Sequence, residues 1–373
     1  MSNVISQRRG VITPHTGLRG FAALCVMMTH LGSEERITLH FPQAHLLFFY
    51  WSNYAVDLFF MLSGFILYWV YCRNAGEIRW KEFFLARCAR ILPLYYLTMV
   101  PFLPPVVRTF QSHGLLAEHG ATLMKFLCNL VMIAGFSGED RWDMRYNAAS
   151  WSVCVEMFAY LVLMPLLVYL FRRFRMQALV WTLSVSVVGI LMCYANFSHR
   201  ILDWDWAQFG RGLFCFPLGF ALCGLFLLIR RDNDEVIAPS VSLTAFLVME
   251  LAVFNIFPRQ LMLCAFPFLI FATAMNRGVV SRILNASIPQ WLGERSYSIY
   301  LWHTPIMYVW FLPYMAKVDS WIPLSNLGKG IANMGIIVIG TFLISEISYR
   351  LFENPIRNLV AAHRRRLQTN GQA

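Results

Sequence analysis

Arg19 and His30 stand eleven residues apart in the apolar stretch TGLRGFAALCVMMTH, residues 16–30. Eleven residues are close to three helical turns, so on a helix both side chains share nearly one face, about 16 Å apart. Such a face runs from a fixed positive charge to a nitrogen that takes up a proton near neutral pH. It is suited to holding an anion at one end and moving a proton at the other. A second apolar stretch, AVDLFFMLSGFIL (55–67), embeds Asp57 among aromatic and aliphatic residues. An unpaired carboxylate there is costly and needs a partner. A histidine of the neighbouring helix, whose tautomer the carboxylate would fix, gives a catalytic pair. An arginine would give only an ion pair locking two helices. The SGF that follows supplies small residues for close helix approach.

Further chemistry-bearing residues recur in apolar surroundings. RCARILPLYYL places Arg87 and Arg90 three residues apart, on one face of the first turn of a helix. Two guanidinium groups beside the free N–H groups of a helix start make a phosphate clamp. ASWSVCVEMFAYL carries Glu156 shortly after Ser150, Trp151 and Ser152. A carboxylate flanked by hydroxyls and an aromatic ring suits a polar acceptor, with a sugar stacked on Trp151 and hydrogen-bonded to Ser152. SYSIYLWHTPI sets His303 beside Trp302 in a later apolar run, a further acceptor-side candidate. In EISYRLFENPIRNL, Glu346 and Arg350 lie at i, i+4 with Glu353 close by, a pattern read mainly as structural salt bridging. Trp142, Trp204 and Trp206 add a weak bias towards carbohydrate, since tryptophan also anchors helices at membrane interfaces. No metal is expected.

The elements that must position these residues are membrane helices. Of 373 residues, 58% are hydrophobic and 14% charged, with a mean hydropathy of +0.54, well outside the soluble range. The apolar runs are long and unbroken, which excludes the short alternating strands of a membrane barrel. They cover 14–32, 46–70, 87–106, 121–137, 151–171, 177–195, 209–229, 236–257, 260–275, 296–315 and 327–350. The net charge of +11 comes in short clusters between these runs, such as Arg8-Arg9, Arg172-Arg173-Arg175, Arg230-Arg231 and Arg364-Arg365-Arg366. That distribution fits positive-inside loops and excludes a nucleic-acid groove. Basic residues outside the first and last runs place both termini in the cytoplasm, so one run must not cross. The segment 121–137, which is short and holds Lys125 and Asn129, is expected to be a partial or re-entrant helix. The fold class expected is an all-α integral membrane protein of about ten transmembrane helices. Residues 1–13 form a cytoplasmic segment, 14–357 the transmembrane domain, and 358–373 a basic cytoplasmic tail. The nine cysteines fall mostly inside apolar runs and read as small apolar fillers. No cleavable signal peptide and no appended soluble domain are expected.

The segments LRGFAALCVMMTH, AVDLFFMLSGFIL, RCARILPLYYL, SWSVCVEMFAYL, SYSIYLWHTPI and FENPIR, in this order over residues 14–357, together resemble the membrane-bound acyltransferase 3 family. That family groups bacterial O-acyltransferases of surface polysaccharides and related acceptors. The resemblance implies ten crossings in the inner or plasma membrane and an acyl-CoA donor, commonly acetyl-CoA. It also implies a carbohydrate acceptor outside the cytoplasm or linked to lipid. Arg19 and His30 match the family's arginine–histidine pair required for activity, and Arg87 and Arg90 its paired arginines at the donor. Asp57 falls where the family commonly has an aspartate, with Ala55 in place of a glycine. Many members carry a fused extracytoplasmic domain; without one, transfer would be completed by the membrane domain or by a separate partner. The expected roles are therefore His30, Asp57 and Glu156 in catalysis, Arg19, Arg87 and Arg90 at the donor, and Trp151, Ser152 and His303 at the acceptor. Direct transfer and an acyl-histidine intermediate both remain open. A proton-coupled transporter or a flippase of a lipid-linked glycan is the rival reading, because intramembrane Asp, Glu, His and Arg also suit a proton relay. The lack of an internal repeat speaks against it.

Overall fold

The computed structural model describes residues 11–34, 37, 54–74, 76–104, 107–108, 111, 123–134, 146–199, 204–229, 237–253 and 261–370, and the regular elements among them are all helical. In chain order they are α1 (Thr13–Ser33), α2 (Ala55–Tyr71), α3 (Trp80–Leu97), α4 (Leu123–Leu130), α5 (Ser150–Phe158), α6 (Met164–Phe174), α7 (Met176–His199), α8 (Trp204–Ile229), α9 (Ile237–Val253), α10 (Leu261–Ala274), α11 (Gly278–Leu284), α12 (Ser287–Glu294), α13 (Ser296–Pro305), α14 (Met315–Trp321), α15 (Asn326–Ser348) and α16 (Asn354–Asn370). One π-helical turn, Ala159–Leu163, joins α5 to α6, and another, Tyr349–Glu353, joins α15 to α16.

The helices wear their apolar faces outwards. On α7, Trp181, Val185, Val188 and Met192 are exposed while Thr182 and Ser186 are buried. A helix in water would reverse that arrangement; lipid permits it, and the hydroxyls turn inwards to protein partners. Five described stretches are long and apolar enough to cross a membrane: Trp80–Phe102, Ser150–Phe174, Met176–Tyr194, Gln208–Ile229 and Asn326–His363. Met262–Ala274 and Gly278–Leu284, bent by 84° at the break between them, make a sixth if taken as one span. Ala55–Tyr71 and Pro239–Val248 are apolar but shorter. The expectation of ten crossings with cytoplasmic ends continues to rest on the spacing of apolar runs and basic clusters. Residues 46–53 and Arg8-Arg9, which enter that reasoning, lie outside the described residues.

Within the segment 121–137, α4 is described from Leu123, directly after residues outside the described ones, and ends at Leu130. The chain turns just beyond it at Met132, with φ of 58°. Its last carbonyls, which no further turn of helix can satisfy, accept from α3: Tyr95 Oη donates to Asn129 O at 3.0 Å and Tyr96 Oη to Leu130 O at 2.9 Å. Residues 135–137 lie outside the described residues.

The bundle is centred on α2 and α8, with α1 packed between α2 and the α12–α13 corner. α2 and α8 meet at their glycines: a Cβ added to Gly64 would come within 2.0 Å of Phe216 O, and one added to Gly219 within 1.9 Å of Met61 O. That approach brings a buried ion pair together one end of the contact. Arg211 Nε donates to Asp57 Oδ1 and Nη2 to Oδ2, both at 2.9 Å. Tyr194 Oη also donates to Oδ2 at 2.6 Å, and Cys215 Sγ approaches Oδ1 at 3.6 Å. Asp57 is 0% exposed and Arg211 2%. The carboxylate has thus taken an arginine instead of a histidine. A planar guanidinium satisfies both carboxylate oxygens at once, which one imidazole nitrogen cannot do.

Removing one charge of this pair strands the other in the bundle. Asp57→Ala is expected to lower stability by about 3–5 kcal/mol, and Asp57→Leu combined with Arg211→Met to recover most of that loss. Thermal unfolding of the purified protein in detergent checks both; a harmless Asp57→Ala would show that the pair holds nothing together.

Candidate active site

Next to this lock, α1 presents Arg19 to a cavity with about 480 Å³ of empty volume. Ser63 of α2, Arg90 of α3, Ser152 and Glu156 of α5, and Ser296, Tyr297 and Tyr300 of α13 share its wall. Five helices therefore supply one site, and residues far apart in sequence meet there. Glu156 Oε1 accepts from Ser63 Oγ at 2.9 Å and from the Tyr160 hydroxyl, which the π-helical turn after α5 carries. Neither Arg19 nor Arg90 makes a hydrogen bond or a close ion pair with a described residue. Two cations and one carboxylate, the latter already hydrogen-bonded, line the cavity, and although the buried Glu353 acts on both arginines from outside the lining, no carboxylate of a described residue meets either guanidinium directly. Such a site draws in an anionic group or the oxygen end of a carbonyl dipole. A second cavity lies against the first, lined by Arg87, Arg357 and the same Arg90. The paired arginines of α3 thus divide: Arg87 faces one cavity and Arg90 both.

Farther along α1, His30 meets His303 of α13. The ring centroids are 4.9 Å apart, and His303 Nε2 lies 3.3 Å from His30 Nδ1. The carbonyls around the pair assign its protons. His303 Nδ1 faces Ile299 O at 3.3 Å, so that nitrogen donates and Nε2 keeps its lone pair. His30 Nδ1 lies 3.0 Å from Val26 O and therefore carries the proton it shares between Val26 O and His303 Nε2. His30 Nε2 is left as a lone pair that no described residue engages. His30 is accordingly the basic nitrogen of the pair, and His303 sets its tautomer. Tyr300 links the pair to the cavity: its hydroxyl lies 2.6 Å from Ser152 Oγ in the wall, and its ring stands edge-on to His303 with centroids 6.0 Å apart.

The turn carrying His303 is held from outside its helix. Pro305 has no N–H, so the carbonyl four residues earlier, Leu301 O, loses its helical donor. Asn147 supplies the missing bond from Nδ2 at 2.9 Å, and its Oδ1 accepts from Thr304 Oγ1 and from Ala149 N. Asn147 is 1% exposed.

Of the residues expected from the sequence, Arg19, Arg90, Glu156 and Ser152 share the first cavity, with Arg87 in the adjoining one. His30 and His303 touch, a contact not foreseen when His303 was assigned to the acceptor. The orientation of His30 by Asp57 or Glu156 is corrected: Asp57 is taken by Arg211, Glu156 by Ser63 and Tyr160, and a second imidazole partners His30 instead. Trp151 is also placed differently from an exposed sugar platform. It is 8% exposed, with its ring beside Phe60 and 6.0 Å from the Arg211 guanidinium. Glu346 does pair with Arg350, and also with Arg295. Trp142 and the side chains of Trp204 and Trp206 lie outside the described residues. Arg211 was missed, although an arginine inside the run 209–229 carries the same signal that singles out Arg19. Ser63, Tyr160, Tyr300 and Asn147 had no such signal, being ordinary residue types whose role comes from their neighbours.

Residues 16–350 match the acyltransferase domain of the acyltransferase 3 family. A protein of Staphylococcus aureus (strain COL) named "Putative O-acetyltransferase" is 22% identical over 366 residues, covering 91% of this chain and 56% of that protein. The "Putative peptidoglycan O-acetyltransferase YrhL" of Bacillus subtilis (strain 168) is 26% identical over 381 residues, covering 91% of this chain and 54% of its own length. "Acyltransferase MdmB" of Streptomyces mycarofaciens is 28% identical over 179 residues, 48% of this chain and 44% of that protein. The chain spans a little over half the length of the first two of these relatives. No solved structure matches it. With a match over residues 16–350, nearly the whole of its length, the chain belongs to the acyltransferase 3 family.

Proposed function

We propose that this protein is a membrane-bound O-acyltransferase. It moves an acyl group, of which acetyl is the simplest, from cytoplasmic acyl-CoA to a hydroxyl of a carbohydrate that is extracytoplasmic or linked to lipid. The observation that carries the reading is the arrangement along α1. Arg19, with no close ion partner among the described residues, faces a cavity shared with Arg90, and the same helix carries His30, whose Nε2 lone pair no described residue engages. This arrangement supports a reading in which donor and base are served by one helix, at a separation a pantetheine arm can span. The names of the relatives, O-acetyltransferases among them, support the class of reaction.

In this mechanism Arg87 and Arg90 hold the phosphates of the donor, and Arg19 steadies the arm that passes through the cavity. His30 Nε2 takes the proton of the acceptor hydroxyl as its oxygen attacks the thioester carbonyl. The tetrahedral intermediate collapses by breaking the C–S bond, and the imidazolium returns its proton to the departing thiolate. The products are the acyl ester and CoA, and His30 ends neutral as it began. His303 holds His30 in the required tautomer and accepts the Nδ1 proton's hydrogen bond as charge develops. The hydroxyls of Tyr300 and Ser152 lie between the cavity and the histidines, where they order the thioester end of the arm.

Acetyl transfer from radiolabelled acetyl-CoA to mixed glycan acceptors by the purified protein in detergent tests the reading. His30→Ala is expected to lose at least about 100-fold in kcat, the scale of general base catalysis, with the donor KM little changed. Turnover near that of wild type would overturn the assignment. His303→Ala is expected to lower kcat by at least about tenfold, while His303→Gln, whose amide oxygen can still accept from Nδ1, recovers part of the loss. If wild type leaves acetyl-CoA untouched with every acceptor, the transporter reading takes its place.

A further inference from the structure

The last helix contributes a cation to the donor side that no expectation assigned. The second cavity, with about 490 Å³ of empty volume, is built between α3 and α16. Arg87 and Arg90 come from α3 and Arg357 from α16, and small side chains, Ala86, Ala89 and Ala361, leave the space between them open. No carboxylate of a described residue lines it. The three guanidinium groups make few hydrogen bonds to described residues, although Arg87 lies over the rings of Phe83 and Tyr160. Arg87 Nε is buried without a hydrogen-bond partner, and Arg90 makes no hydrogen bond to a described residue. Arg357 has one acidic neighbour, Glu353, whose Oε1 lies 3.5 Å from Nη1, beyond a good hydrogen bond. The other oxygen of Glu353 is held by Ser298 Oγ at 2.9 Å. Glu353 also acts on Arg90, so one carboxylate stands against three guanidinium groups, and the remaining positive charge favours an anion entering the space.

We propose that Arg357 completes, with Arg87 and Arg90, a three-guanidinium clamp for the phosphates of the acyl donor. The inference rests on the acyl-donor reading above and extends it to a residue of α16. Two arginines three apart on one helix grip a single phosphate from one side. A third, on another helix across an open space, closes the grip from the opposite side, which suits a ligand carrying more than one phosphate, such as a nucleoside bisphosphate linked through a diphosphate. Because Glu353 joins Arg357 to Ser298, on the helix that carries His303, the clamp and the histidine pair are parts of one packed unit.

Binding of adenosine 3′,5′-bisphosphate to the purified full chain in detergent, followed by calorimetry, is the test, with acetyl-CoA turnover measured alongside. Arg357 is 48% exposed but pairs with the buried Glu353, so thermal unfolding of each variant is measured alongside to show that the bundle stays folded. Arg357→Ala is expected to raise both the Kd for the bisphosphate and the KM for acetyl-CoA by about tenfold, the scale of one charge-assisted contact, with kcat unchanged. Arg357→Lys is expected to fall between. Turnover of acetyl-pantetheine, which has no phosphates, should not respond to either change. Equal Kd and KM in wild type and Arg357→Ala would overturn the proposal while leaving the acyltransferase reading intact. If wild type binds the bisphosphate through Arg357 but transfers no acetyl group, the clamp stands and the acyltransferase reading fails. In the remaining arm, phosphatidylglycerol is added to the micelles. If Arg357→Ala weakens lipid binding and spares the bisphosphate, the site holds a lipid headgroup and the donor assignment is overturned.

Discussion

A full charge moved from water into a bundle of apolar helices costs several kcal/mol unless a partner of opposite sign meets it with good geometry, and each buried charge here can be placed by how it answers that demand. Asp57 and Arg211 answer it completely, with two parallel hydrogen bonds, a tyrosine hydroxyl and a thiol around one carboxylate. They join α2 to α8 next to the glycine contact of the same two helices, so the tightest packing and the strongest polar interaction fall on one seam. Arg19, Arg87 and Arg90 answer it only in part: no carboxylate of a described residue pairs closely with them, Glu156 and Glu353 act on Arg90 from a distance, and Arg87 lies over the rings of Phe83 and Tyr160. They face cavities, and the charge left unmatched there is what gives those cavities a preference for anions.

The distinction separates residue roles that look alike in sequence. Asp57 and Glu156 are both carboxylates in apolar runs, yet one is sealed into an ion pair and the other lines a cavity with two arginines. Trp151 and Tyr300 are both aromatic residues next to hydroxyls. Trp151 packs into the seam beside Arg211, whereas Tyr300 reaches from the cavity wall to His303. The surrounding frame keeps these positions fixed: α1 lies between α2 and the α12–α13 corner, and Asn147 braces the proline-interrupted turn of α13. His30 and His303 are consequently presented by two helices held independently, which is what a fixed tautomer requires.

Much of this was legible in the residues. The all-helical membrane character follows from apolar runs too long and too frequent for any soluble fold. The shortness of 121–137, with Lys125 and Asn129 inside, led to the expectation of a partial helix, and among the described residues α4 ends at Leu130 with tyrosines capping its carbonyls. Arg19 and His30 stood out because ionisable residues in apolar runs are rare. Asp57 stood out for the same reason and its need for a partner was clear, but which partner was not. Composition cannot choose between a histidine and an arginine when both lie in other helices, and the arginine in question, Arg211, sits within a run otherwise as apolar as any in the chain.

What the sequence by itself determined is local: which stretches are helical and apolar, which of them carry charge, and which charges share a helix face. Those properties depend on residue type and a spacing of 3.6 per turn. Only the tertiary structure decided which charge meets which. It paired Asp57 with Arg211 instead of His30, set His303 against His30 across 273 positions of chain, and brought Arg357 opposite Arg87 and Arg90. Such encounters depend on how helices cross and on how closely small residues let them approach, and neither is encoded in the periodicity of a single helix.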